Sequence, residues 1–202
     1  NKNLFIKEEK NDKLITFTPK SFKDAYLDLE ESGIGKTIKA SELWEKILVS
    51  QMETGTPYMV YKDKANVASN QKNLGVIKSS NLCAEIIEYS SEDEQAVCNL
   101  ASIALNKFVD KTVKFGYDFE KLGQVVELAI ENLDNVIGAN YYPTDETKNS
   151  NSKHRPVGLG VQGLADTYAL LGMPFDSESA SNINKMIFEQ MYYSAIKRSM
   201  EL

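Results

Sequence analysis

The chain has 202 residues, 42% hydrophobic and 26% charged, with 29 acidic side chains against 23 lysines and arginines for a net charge of −6. This supports a globular domain with a real core. The acidic surplus excludes general attraction to a nucleic-acid backbone, and no apolar run is long enough to span a bilayer.

No signal-peptide pattern opens the chain, and two cysteines are too few for a disulfide scaffold. We therefore expect a cytoplasmic protein with no nucleic-acid and no membrane partner. The chain begins at Asn1 and stops at Leu202 within a helical pattern that lacks a stop signal. It reads as an internal fragment of a longer polypeptide.

Leu14–Phe17 reads as a short strand. Pro19 and Ser21 open a helix to about Glu31, with Phe22, Ala25, Tyr26 and Leu29 on one face. A second helix starts at Ala40 or Ser41, with Ser41 as N-cap and an apolar face of Leu43, Trp44, Ile47, Leu48 and Met52. Trp44 is read as core. Gly55 and Pro57 break that helix, and residues 57–61 read as a buried strand. Residues 62–78 are polar and amide-rich, the composition of a solvated loop. Residues 79–89 read as a strand and turn, and Ser90–Glu94 as a charged surface turn. Val97–Leu105 is an apolar strand or the entry to a helix. Leu122, Val125, Val126, Ala129, Ile130, Leu133 and Ile137 recur at helical spacing and predict a helix over Phe119–Gly138. Asn149–Lys153 reads as a hydrophilic loop, Arg155–Gly160 as a strand, Leu164–Leu171 as a helix, and a final helix begins near Ser177 or Ser179. Strands separated by helices predict an α/β fold.

Both cysteines fall in one stretch, Asn81-Leu82-Cys83-Ala84-Glu85-Ile86 and Ala96-Val97-Cys98-Asn99-Leu100-Ala101-Ser102. In an extended Asn81–Glu85 segment, side chains alternate, so Asn81, Cys83 and Glu85 share one side while Leu82, Ala84 and Ile86 pack on the other. A buried thiol that serves only as a small hydrophobe leaves the adjacent amide and carboxylate unexplained, because burying a carboxylate without a use is costly.

This stretch resembles the large, catalytic subunit of class I ribonucleotide reductase, in its eukaryotic and large-virus form. Further blocks resemble it in the same order: Glu53-Thr54-Gly55-Thr56-Pro57-Tyr58-Met59, Ser69-Asn70-Gln71-Lys72-Asn73-Leu74-Gly75, Asn140-Tyr141-Tyr142-Pro143, and His154 through Asp166. The likeness runs from about residue 41 to the end, with residues 1–40 a less distinctive lead-in to the same partial catalytic barrel domain. It implies a ten-stranded α/β barrel with a central catalytic cysteine loop, of which this chain supplies part.

The resemblance also implies roles. Cys83 carries a transient sulfur radical that takes hydrogen from the ribose 3′ carbon, away from water and other thiols. Glu85 matches the general base at the 3′-hydroxyl. Asn81 matches the amide that hydrogen-bonds the ribose and aligns that carboxylate. Asn81, Leu82, Cys83, Ala84 and Glu85 line the substrate site. Cys98 matches one half of a dithiol that becomes a disulfide; its partner lies outside this chain, so the fragment alone is expected to lack turnover. The implied substrate is a ribonucleoside diphosphate. The implied partners are a metal-containing small subunit that supplies the radical, thioredoxin or glutaredoxin, and a second large subunit in a homodimer. ATP and deoxynucleotide effectors would bind elsewhere in the full protein, and no cofactor is expected on this segment.

Two alternatives keep these residues but change their use: a class II reductase dependent on adenosylcobalamin, and a non-catalytic structural or assembly piece. His154 is the sole histidine, and without a ligand-spaced cluster no metal is expected here. Gly158, Gly160 and Gly163 spell a dinucleotide fingerprint after a predicted strand. The family likeness explains them instead as strand-to-helix geometry. Tyr141-Tyr142 and Tyr192-Tyr193 are read as core or interface packing.

Overall fold

Capping residues and apolar spacing set the element order in the computed structural model, which describes residues 3–6, 19–33 and 35–202. The chain divides into two units, Asn1–Val60 and Tyr61–Leu202. In the first, β1 (Asn3–Ile6) pairs antiparallel with β2 (Lys36–Lys39). The helices α1 (Pro19–Glu31) and α2 (Ala40–Thr54) complete it. The predicted strand over Leu14–Phe17 lies outside the described residues.

Four expectations change up to residue 61. Lys39, not Ser41, occupies the N-cap of α2 and offers no side-chain hydrogen bond. Trp44 is 51% exposed rather than core. Helix α2 buries none of its residues, because its chief neighbour is the short β2. Residues 57–61, expected as a buried strand, are exposed and form no strand, since no pairing partner lies alongside among the described residues.

The second unit opens with α3 (Lys62–Ala68), where a loop was expected. After a long irregular segment, β3 (Leu100–Ala104) pairs in parallel with β4 (Gly158–Gln162), Leu100 opposite Gly158. Parallel strands require a crossover, and here it carries α4 (Phe119–Ala139) and α5 (Asp145–His154). This is the α/β arrangement the sequence predicts. Asp118 caps α4 through the Lys121 amide, and α4 spans the predicted helix almost residue for residue. Gly163, in the left-handed region at φ 75°, turns β4 into α6 (Leu164–Leu171). That accounts for the last glycine of the fingerprint spelling. Ser177 then caps α7 (Glu178–Glu201).

The core lies where α4, α7 and the turn after β3 meet. Leu105, Leu122, Val126 and Ile187 are fully buried there, with Phe108, Tyr117, Ile130 and Ile183 around them. Each fully buried aliphatic side chain contributes about 1.5–3 kcal/mol. At the rim, Lys197 reaches Glu127 at 2.9 Å and Arg198 reaches Glu131 at 3.0 Å. A Cβ at Gly123 would collide with Gln190 and Ser194, so that glycine sets how closely α4 and α7 approach.

Helix α5 replaces the expected loop at residues 149–153. Thr144 caps it in a reciprocal box with Thr147, acidic Asp145 and Glu146 occupy its first turn, and Lys153 and His154 its last. Arg155 adopts φ 46° as its C-cap, which delays β4 to Gly158 instead of the predicted Arg155. Tyr141, Tyr192 and Tyr193 are exposed and so not part of the core. Among the described residues no helix is long and apolar enough to cross a membrane.

Candidate active site

The residues that organise the cysteine stretch are amides and hydroxyls, and they build a turn instead of the expected extended segment. The Ala84 amide donates to the Asn81 carbonyl at 3.2 Å, and the Ile86 amide donates to Asn81 Oδ1 at 3.1 Å. Ser80 Oγ closes the turn on the Ile86 carbonyl at 2.7 Å. Ala84 consequently sits at φ 62°, a left-handed conformation that costs a non-glycine residue about 1–2 kcal/mol. Such an outlier persists only where its surroundings over-determine it.

The turn disrupts strict alternation. Leu82, expected to pack, is 94% exposed; Ile86 is buried. Asn81 and Glu85 meet nonetheless: Asn81 Nδ2 donates to Glu85 Oε1 at 2.6 Å. Cys98 arrives from the segment before β3, with Sγ 3.8 Å from Asn81 Nδ2 and 4.0 Å from Glu85 Oε1. An amide, a carboxylate and a thiol therefore converge from two segments.

Cys83 lies in the same turn, and both cysteines are free and exposed. Its exposure departs from the expected shelter, and the neighbouring Leu82 is exposed with it. Partial burial pushes the Cys98 thiol above the ordinary range. Negative charge on Glu85, Glu88 and Cys83 pushes the same way, while the Asn81 amide pulls it down. The thiol form of Cys98 is thereby favoured, the form that carries a transferable hydrogen. A pocket of about 220 Å³ opens beside Asn81, lined also by Lys78, Ser80, Glu88 and Gln95.

A layer behind this site escaped the sequence reading. Glu94, expected on a surface turn, is buried, and its carboxylate bridges Lys153 and His154 at the end of α5. Asn149 Nδ2 donates to the Asp93 carbonyl at 3.0 Å, and the Gln95 amide to the Glu146 carbonyl at 3.2 Å. Asn99, next to Cys98, is buried and exchanges hydrogen bonds with the fully buried Asn151. The signal for this layer was Thr144 followed by two acidic residues, a helix start that lacks any apolar stripe. Among the described residues no cluster could hold a metal ion.

The family model described as "Ribonucleotide reductase, barrel domain" matches residues 2–202. The ribonucleoside-diphosphate reductase large subunit of Plasmodium falciparum is 57% identical over 182 residues, 90% of this chain and 22% of that protein. The large chain 2 of Saccharomyces cerevisiae is 56% identical over 90% of this chain and 21% of its own length. The Arabidopsis thaliana large subunit is 52% identical over 90% of this chain and 24% of its own. The chain thus spans roughly a fifth to a quarter of these relatives. Among solved structures, the Actinobacillus ureae class Id ribonucleotide reductase alpha subunit superposes with a TM-score of 0.63 at 28% identity, covering 88% of this chain and 34% of that one.

Proposed function

The chain belongs to the ribonucleotide reductase barrel-domain family, and on that premise we propose that it is the cysteine-bearing part of a catalytic large subunit that reduces ribonucleoside diphosphates. The observation that carries this reading is the convergence of Cys98, within 4.0 Å, on Asn81 and Glu85 of the turn that also holds Cys83.

The reaction replaces the ribose 2′-hydroxyl with hydrogen. A Cys83 sulfur radical takes the 3′ hydrogen, and Glu85 takes the 3′-hydroxyl proton as the 2′-hydroxyl leaves as water. Asn81, already donating to Glu85, holds that carboxylate in line. Cys98 and a second cysteine outside this chain give up two hydrogens between them and join as a disulfide. One C–O bond becomes one C–H bond, one water forms, and two thiols are oxidised. The 3′ hydrogen finally returns and restores the Cys83 radical.

The complete protein would take its radical from a metal-containing small subunit and its electrons from thioredoxin or glutaredoxin. It would work as a homodimer in the cytoplasm, with ATP and deoxynucleotide effectors binding elsewhere. Relatives described as large subunits or large chains support a separate radical-supplying subunit over adenosylcobalamin.

In the complete large subunit assembled with its small subunit, Cys83→Ser should abolish ribonucleotide reduction. Cys98→Ser should abolish turnover driven by thioredoxin. Undiminished reduction by Cys83→Ser overturns the proposal and favours a non-catalytic module.

A further inference from the structure

We propose that Asn99, locked to Asn151, is a positioning residue for Cys98: it fixes the backbone from which the thiol reaches Asn81 and Glu85. This rests on the proposed reductase chemistry and adds a residue to it.

Cys98 sits one residue before a fixed point. Asn99 Nδ2 donates to Asn151 Oδ1 at 2.5 Å and to the Pro156 carbonyl at 2.8 Å. Its Oδ1 accepts from Asn151 Nδ2 at 3.1 Å. Its own carbonyl accepts the Gly158 amide at 2.8 Å, the bond that leads into the β3–β4 register. Asn99 is 5% exposed and Asn151 fully buried. Asn151 Nδ2 also donates to the Tyr142 hydroxyl at 2.6 Å, which donates to the Ile137 carbonyl at 2.7 Å. The line runs from beside the thiol through α5 to the end of α4.

A buried asparagine is costly unless its amide is satisfied. Packing alone would be served by an apolar residue, which would need no partner. Two reciprocally bonded amides instead give a fixed separation and direction. What they fix is Cys98, whose Sγ hangs about 4 Å from the acid and amide opposite. Thiol–disulfide exchange and hydrogen transfer both depend on such placement, and a misplacement of about 1 Å costs on the order of 100-fold in rate.

The test uses the holoenzyme: complete large subunit, small subunit and thioredoxin. Asn99→Ala should lower kcat on the order of 10- to 100-fold with KM nearly unchanged. It should alter the rate of Cys98 alkylation by iodoacetamide, read by peptide mass, while Cys83 alkylation stays at the wild-type rate. Asn151→Ala should act in the same direction, and the double variant should be no worse than either single one, since the two residues act as a unit. Tyr142→Phe removes two hydrogen bonds, to Asn151 and to the Ile137 carbonyl, but leaves the reciprocal Asn99–Asn151 pair in place. It should lower Tm yet leave Cys98 alkylation unchanged. If Asn99→Ala does not fold, Asn151→Asp decides: its carboxylate still accepts from Asn99 Nδ2 but no longer donates, so Cys98 alkylation should shift.

Wild-type kcat and wild-type Cys98 alkylation in a folded Asn99 variant overturn the positioning role. So does a parallel change at Cys83 and Cys98 that simply follows Tm. Undiminished turnover by Cys98→Ser overturns instead the reading of Cys98 on which the role rests.

Discussion

Within residues 61–202, two regions are held together by different physics. From β3 onward, regular strands and helices bury Leu105, Leu122, Val126 and Ile187 against one another. Residues 69–99 contain no helix or strand, and side chains stand in for the missing backbone partners. Asn66 brackets Ile77, accepting from its amide at 2.7 Å and donating to its carbonyl at 2.8 Å, much as a neighbouring strand would. Gln71 accepts the Tyr89 amide at 2.8 Å, and Ser90 the Ala96 amide at 3.1 Å. The proposed chemistry falls in the second region. Buried backbone groups must be paired, and pairing them through side chains frees the chain to follow a path no ladder permits, including the left-handed Ala84 between Cys83 and Glu85.

The sharpest way to break this contrast is to empty a core site. Leu122→Ala, at a position with no exposure on α4, should lower the unfolding free energy by about 2–5 kcal/mol, measured as a shift of the urea midpoint at constant slope. A smaller loss than that from any change in residues 69–99 would mean that the apolar half does not dominate stability.

The next effect is smaller and has a sign that differs between two glutamates. Hydrogen bonds from Lys153 and His154 hold the Glu94 carboxyl below its ordinary range. Its stabilising contribution is present above the unfolded glutamate pKa of about 4.3 and is lost as pH falls through the lower folded value. Burial raises the Glu88 carboxyl, with the charge of His154 opposing it. Ionised Glu88 therefore penalises the fold at neutral pH, and the penalty disappears as pH falls through its raised value. Thermal melts across pH 3–7 (about the range spanning both carboxylates) should separate them. Glu94→Gln should lower Tm at neutral pH and flatten the acid-side fall. Glu88→Gln should raise Tm at neutral pH and remove the gain on acidification. Slopes of the same sign in both variants would overturn the opposite signs assigned to the two carboxylates.

The contrast also explains what was legible in the sequence. Helix α4 was readable because Leu122, Val126, Ile130, Leu133 and Ile137 recur at its period and are all buried. Strand β3 lies in the apolar run over Val97–Leu105, but its parallel pairing with β4 was not legible, because pairing is set by the crossover and not by local pattern. The expected strand at Asn81–Glu85 failed because alternation cannot register a turn tied by Asn81 to Ala84 and Ile86. Asn81 and Glu85 still met by way of that turn, and the thiol beside them is Cys98 rather than the expected Cys83. Helix α5 was missed because its buried residues are Thr147, Ser150 and Asn151, which carry no hydrophobic period. Glu94 was missed for the same reason: a charge in an acidic run reads as solvated, and the partners that bury it lie some sixty residues away. Trp44 failed in the opposite direction, an apolar stripe whose helix buries nothing.

The smallest expected effect repeats the largest substitution in the other region. Leu82 is 94% exposed, between Asn81 and Cys83. Leu82→Ala removes the same atoms as Leu122→Ala but returns almost no apolar surface to water and opens no cavity, so the unfolding free energy should change by no more than about 0.5 kcal/mol. Urea unfolding of the two leucine variants side by side checks this. A loss at Leu82 approaching that at Leu122 would mean that this leucine is covered in solution, and that the turn holding Cys83 is packed by apolar contact as well as tied by Asn81 and Ser80.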